Sequence, residues 1–311
     1  MSALLALVAT VLTSFLPILT KRLLREASPA VVAWITNAGS LPILAAGTLL
    51  LTQCSLTRSG SLEVACTAQV PRVDGIFVVA LLASVVLNWA ATLISTMALA
   101  QADASLVSPL LTFNPAFTLL LAWLTLSEVP GLRQMLGVAV VLLGAYLLEA
   151  EEARMNLLAP LRLLLRRPGT LFAVVASALW GSTTVLEKLA IDHMVPRSGP
   201  VVALLGTVLL VVLLTPGALR SKPQEGTAEH KWKGLAAHPR ALSLAVFIAG
   251  IAPLFGFTAI ALGLVGYVTA LFKLSAVFTI LWAKLLLGEG QMRERLLGSI
   301  VMIIGALLVT G

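Results

Sequence analysis

Apolar stretches of roughly helical-span length alternate with short polar segments along the whole chain. A spanning helix needs about 20 predominantly apolar residues. Ten stretches approach or meet that length: about 2–20, 29–52, 75–99, 104–126, 132–149, 170–190, 199–217, 241–262, 264–287 and 296–310. Helices are expected because hydrocarbon offers no partner to backbone N–H and C=O groups. The first stretch starts almost at Met1, without a basic leader or a clear small-residue cleavage site, and reads as a retained helix. The expected fold class is all-α integral membrane, with ten transmembrane helices.

The pattern occurs twice. FTLLLAWLTLSE and LRQMLGVAVVLLGAYLL, within Phe117–Leu148, match FTILWAKLLLGE and MRERLLGSIVMIIGALLV, within Phe278–Val309. Phe117 aligns with Phe278, Thr118 with Thr279, Glu128 with Glu289, Gly137 with Gly298 and Gly144 with Gly305, all at an offset of 161. Upstream, the segment ending at Lys188 echoes the one ending at Lys21 at an offset of 167, so the second copy is six residues shorter between these landmarks. The reading is a five-helix repeat over 1–150, a connecting loop over 151–169 and a second five-helix repeat over 170–311. An odd helix number per repeat makes the two copies enter the membrane from opposite sides, as in inverted-repeat secondary transporters.

Composition agrees. Hydrophobic residues make up 59% and charged residues 11% of the chain, with a mean hydropathy of +1.01. A soluble domain carries about 25% charged residues, so the outer surface here is expected to face lipid. Odd-numbered loops hold 14 Lys and Arg residues and even-numbered loops hold 5. The positive-inside rule then puts odd loops in the cytoplasm and both termini outside. The net charge of +7 reflects that basic face and points to no nucleic acid. Cys54 and Cys66 share the second loop, where they either pair or stay as thiols.

The run from Pro109 through Asn114, Pro115 and Phe117 to Glu128, with Gly137 and Gly144, resembles the drug/metabolite transporter superfamily, specifically its EamA-type members. So do Leu179-Trp-Gly with Lys188 further on, and Tyr267 to Phe278 ending at Gly288-Glu289. The resemblance implies a ten-helix inverted-repeat carrier that moves small metabolites by alternating access, in a cytoplasmic membrane. It also implies cytoplasmic termini, against the charge count. The first helix lacks the Trp-Gly pair, carrying Thr13 and Ser14 where the sixth has Trp180 and Gly181.

Candidate site residues are the polar groups inside apolar stretches. An ionisable group at mid-membrane costs about 2.5–3.5 kcal/mol on insertion scales and persists mainly where it faces a cavity. Lys273 sits about ten residues into the ninth stretch, and its counterpart is Thr112. It is expected to bind substrate or couple protons; the alternative is a structural pair. Lys284 shares its helical face but is close enough to the end to snorkel. Glu187 and Lys188 end the sixth helix after Thr183 and Thr184, with Glu187 a proton or cation partner or else an interfacial charge. Glu128 and Glu289 each precede a helix and are expected to cap it. Asn88, Asn114 and Asn37 are amides in apolar surroundings, with Pro109 and Pro115 interrupting backbone bonding around Asn114. Trp180 either stacks on substrate or packs. Gly250, Gly256, Gly263 and Gly266 are expected to permit close helix approach. The expected substrate-binding set is Lys273, Asn114, Asn88, Trp180, Thr184, Glu187 and Lys188.

The three histidines lie in loops without metal spacing, and no Walker-type glycine loop exists. No catalytic set, metal or cofactor is therefore expected. The expected function is a secondary transporter, an exporter of small metabolites rather than an enzyme. A membrane scaffold without transport and a lipid-linked substrate flippase are the alternatives. Expected partners are a small-molecule substrate and the lipid bilayer; a homodimer is left open.

Overall fold

The computed structural model describes residues 1–23, 27–59, 61–66, 71–101, 111, 113–152, 168–220, 238–275, 277–279, 281–282 and 292–310. Among these the chain is nearly all helical: α1 Ser2–Thr13, α2 Leu16–Leu23, α3 Pro29–Gln53, α4 Gly75–Gln101, α5 Asn114–Leu126, α6 Leu132–Glu152, α7 Pro168–Asp192, α8 Gly199–Arg220, α9 Pro239–Leu262, α10 Val265–Phe272 and α11 Met292–Thr310. A hairpin of β1 Cys54–Ser59 and β2 Ser61–Cys66 sets Cys54 opposite Cys66 in backbone register. Two-residue strands β3 Arg72–Val73 and β4 Met194–Val195 pair antiparallel. Among the described residues, six segments are long and apolar enough to cross a membrane: Ser2–Thr20, Ala30–Leu51, Gly75–Thr92, Leu171–Asp192, Gly199–Arg220 and Pro239–Leu262.

Two expected helices are broken. The first divides between α1 and α2, because Pro17 has no N–H to give the Thr13 carbonyl. Hydroxyls take up carbonyls there instead: Thr13 Oγ1 donates to Ala9 O at 2.9 Å and Ser14 Oγ to Val11 O at 2.6 Å. The ninth breaks at Lys273, where tight turns replace α-helical bonds, with Lys273 N donating to Ala270 O and Leu274 N to Leu271 O. The proline effect expected around Asn114 takes a milder form. Asn114 opens α5 and Pro115 lies in its first turn, where a missing N–H leaves no bond unmade. Pro109, Thr112, Lys284 and Glu289 lie outside the described residues.

The halves interlock. α7 packs on α4 and α5, while α1 packs on α9 and α10, so the first helix of each repeat lies against the third and fourth segments of the other. α6 packs along α11, and α3 along α8. At the α6–α11 crossing, a Cβ on Gly144 would lie 2.5 Å from Met302 N and 2.8 Å from Gly298 O. One on Gly305 would lie 2.5 Å from Val141 N and 2.9 Å from Gly137 O. Adding 161 to 144, 141 and 137 gives 305, 302 and 298, so exchanging the repeats maps this contact onto itself. That self-complementarity is the property of a two-fold interface. Thr118 Oγ1 donates to Gly181 O at 3.4 Å, and its counterpart Thr279 Oγ1 to Ser14 O at 2.9 Å. The same exchange relates this second pair.

One end of the bundle carries a set of cross-links. β3 pairs with β4, and Asp74 accepts the Phe77 N–H at 2.9 Å and faces His193 Nδ1 at 2.7 Å. These two bonds hold the Asp74 carboxyl below the usual carboxylate range. Ser2 Oγ and Tyr267 Oη share a 3.1 Å hydrogen bond. Glu128 does not cap α6, the helix that follows it. Its Oε2 accepts the Val265 N–H at 2.8 Å and so caps α10 in the other repeat. Ser127, the residue before it, ends α5 in the left-handed conformation at φ 54, ψ 24.

Two stability effects follow. Gly144→Ala should cost about 1–3 kcal/mol, because its Cβ meets backbone that cannot swing aside. Gly256→Ala should be close to neutral, since its nearest neighbours stand at 3.6 and 3.7 Å; the close approach expected there is ordinary contact. Thermal unfolding in detergent separates the two. Burial raises the Glu128 pKa, with the Val265 N–H and the Lys188 charge opposing. The folded protein thus holds this proton more tightly than the unfolded chain. Its contribution is greatest below the unfolded pKa and falls as pH rises through the folded value. Glu128→Gln keeps an acceptor and removes the charge. Wild type should lose stability relative to Gln as pH rises above the ordinary glutamate range. Glu128→Ala, which abandons the cap, should cost about 1 kcal/mol.

Candidate substrate cavity

The breaks in the first and ninth helices meet a cavity of about 550 Å³ at the junction of the two repeats. α9 supplies an apolar wall that includes Ala249, Gly256 and Phe257. Polar groups enter from four other elements: Thr13 past the end of α1's last turn, Asn37 from α3, Asn114 from α5, and Thr184 with Glu187 from α7. Lys273 enters at the end of α10, beside Phe272. Its place is favourable, because the C-terminus of a helix carries partial negative charge that suits a cation. The result is an apolar container with one basic group, one acidic group and several amides and hydroxyls, the usual make-up of a small-molecule site.

Local hydrogen bonding sets what these groups can offer. Thr184 Oγ1 donates to Trp180 O at 3.2 Å, and Thr13 Oγ1 to Ala9 O, so each hydroxyl turns acceptor lone pairs to the cavity. Asn37 Nδ2 donates to Ala33 O at 2.8 Å. Asn114 Oδ1 is buried without a hydrogen-bond partner among the described residues. Thr184 and Glu187 are three residues apart on one helix and therefore project from the same face.

Four of the seven sequence candidates thus share one cavity: Lys273, Asn114, Thr184 and Glu187. The other three lie elsewhere. Trp180 Nε1 donates to Asn88 Oδ1 at 3.3 Å, which ties α7 to α4 away from the cavity lining. Lys188 is 7% exposed and its Nζ donates to Ile260 O at 2.9 Å and Ala261 O at 3.1 Å, with Asp192 at 4.0 Å. It points into the end of α9 and not into the cavity. Thr13 and Ala249 were missed as lining residues, though the repeat contains the signal. Subtracting 167 from 180 gives 13, and adding 161 to 88 gives 249. Where one half fills space with the Trp180–Asn88 pair, the other has Thr13 and Ala249, and the cavity lies there. The described residues hold no cluster of three or more metal-ligating side chains.

The EamA-like transporter family matches the chain over residues 1–149 and again over 167–311. The chain belongs to the EamA-like transporter family. An uncharacterized transporter of Methanothermobacter thermautotrophicus is 26% identical over 257 residues, covering 82% of this chain and 69% of the relative. A solved crystal structure superposes with a TM-score of 0.73 at 14% identity, covering 99% of this chain and 96% of the other. That likeness concerns the fold. As an EamA-like protein, the chain is a multi-pass membrane transporter that handles small molecules.

Proposed function

We propose that this transporter is a secondary exporter of small polar or amphipathic metabolites, working by alternating access. Ten spans form two inverted five-helix repeats, over 1–150 and 170–311, in the cytoplasmic membrane. The observation that carries the reading is the cavity at the repeat junction, with Lys273, Glu187, Asn114 and Thr184 in its wall. The reciprocal contacts of Gly144 with Met302 and Gly305 with Val141 support a two-fold relation between repeats. Discontinuous helices meeting a polar cavity between repeats are the usual construction of carrier sites. The absence of a Walker loop from the sequence leaves an ion or substrate gradient as the driving force. Export is the direction the family resemblance implies.

A scaffold would place a dry, packed centre where this chain has a cavity. The flippase alternative finds one supporting feature, an apolar groove of about 500 Å³ between α5 and α6, which includes Leu120, Trp123 and Met135. Its lining shares no residue with the central cavity, so among the described residues it gives the polar site no side entrance.

Lys273→Met keeps the side chain's length and removes its charge. In reconstituted vesicles screened by counterflow with amino acids, nucleotides and cationic drugs, the variant should insert normally. It should lose at least about tenfold in the rate for anionic or zwitterionic substrates, or lose the pH dependence of that rate. A wild-type rate between about pH 5 and pH 9 would make Lys273 structural. Orientation has its own test. The basic Arg220–Arg240 loop should be cytoplasmic. Ser221→Cys, in a chain with Cys54 and Cys66 replaced by serine, should resist an impermeant maleimide in intact cells. Ready labelling would invert the topology.

A further inference from the structure

We propose that Lys188 and Glu128 form a clamp on the α9–α10 turn that holds one end of the cavity shut, and that transport requires its release. The proposal rests on the transporter reading above. The turn is gripped on both sides. Lys188, from α7, binds the carbonyls of Ile260 and Ala261 in the last turn of α9. Glu128, from the α5–α6 link, binds the N–H of Val265 at the start of α10. A cation at a helix C-terminus and a carboxylate at a helix N-terminus each complement the helix dipole. Between those points lie only Leu262 to Leu264, and the Ser2–Tyr267 bond braces the same end.

The gripped segment bounds the cavity. Ile260 lines it while its carbonyl takes the Lys188 ammonium, and Thr269 lines it one turn into α10. On α7, Glu187 faces the cavity and its neighbour Lys188 faces the turn. A displacement of α7 by a substrate at Glu187 therefore pulls on the clamp directly. Opening is supported by solvation. Lys188 is 7% exposed, with two carbonyls and a carboxylate 4.0 Å away, and release would exchange these for water around a strongly hydrated ammonium. The repeat supplies a sequence counterpart: Lys21 stands in register with Lys188, and Glu289 with Glu128.

The test reads sidedness. A single cysteine at Ala249, on the cavity wall, is introduced with Cys54 and Cys66 replaced by serine. It is labelled with an impermeant maleimide in right-side-out and inside-out vesicles. Lys188→Met and Glu128→Ala should each raise labelling from the clamped end by at least about fivefold, a usual size for a coupled shift between two states. Lys188→Arg should restore the parent pattern. If Lys188→Met and Glu128→Ala fold and label like the parent, or if both lose the monodisperse fold, the clamp is structural and the proposal is overturned. Counterflow by the same parent and variants with Ala249 retained separates the two levels. A parent that transports while its variants keep parental sidedness condemns the clamp alone. A parent without counterflow, labelled from one side in every variant, condemns the transporter reading.

Discussion

The close approach of α6 and α11 at Gly144 and Gly305 is the contact on which the other packing depends. Backbone meets backbone there, at distances that exclude even a methyl group. Lipid tails are as apolar as leucine, so helices in a membrane gain little from burying apolar surface against each other. They gain from contact area and from close backbone approach, which small residues allow. The crossing is reciprocal, so it fixes the relation of the two repeats as well as the spacing of two helices. Once that relation is set, Thr118 and Thr279 reach the carbonyls of Gly181 and Ser14, and α1 and α7 settle against helices of the opposite repeat.

A symmetric frame provides two equivalent places for a site, and the side chains choose one. In the half containing Trp180, the indole fills the space between α7 and α4 and its N–H finds Asn88. In the other half, Thr13 and Ala249 are too small to do the same, and the wall recedes. Lys273 and Glu187 have uncharged counterparts, Thr112 and Thr20, so charge also accumulates on one side of the frame. The cavity in this chain therefore lies where the repeats differ, while the close packing lies where they agree.

Much of this was legible in the chain itself. Span length is set by hydrocarbon thickness, so apolar stretches reveal helices, and an offset of 161 reveals which residues have counterparts. Lys273 and Glu187 stood out because charge in a membrane is costly, and both line the cavity. Partners across the chain were less accessible. Glu128 was read as a cap for the helix next to it, yet its bond spans 137 residues. Lys188 was grouped with Glu187 at the end of the sixth helix, but one position is 100° around a helix and it faces α9 instead. Trp180 and Asn88 are 92 residues apart, and periodicity carries no information about such pairings. The break after Thr13 had a visible cause in Pro17, but only the backbone shows that the helix restarts at once.

The exchange of packing partners bears on how the chain is made. α1, α4, α5 and α6 find their main neighbours in residues beyond 167, so synthesis delivers the first half to the membrane well before those neighbours exist. Contacts of such long sequence separation close loops slowly, and the apolar and glycine faces waiting for them can meet wrong partners first. Polar groups also wait: the Thr118 hydroxyl must rely on the Asn114 carbonyl of its own helix until Gly181 arrives. Biogenesis of this protein is thus a problem of holding a half-built bundle in lipid, and the translation time of the second repeat is part of its folding pathway.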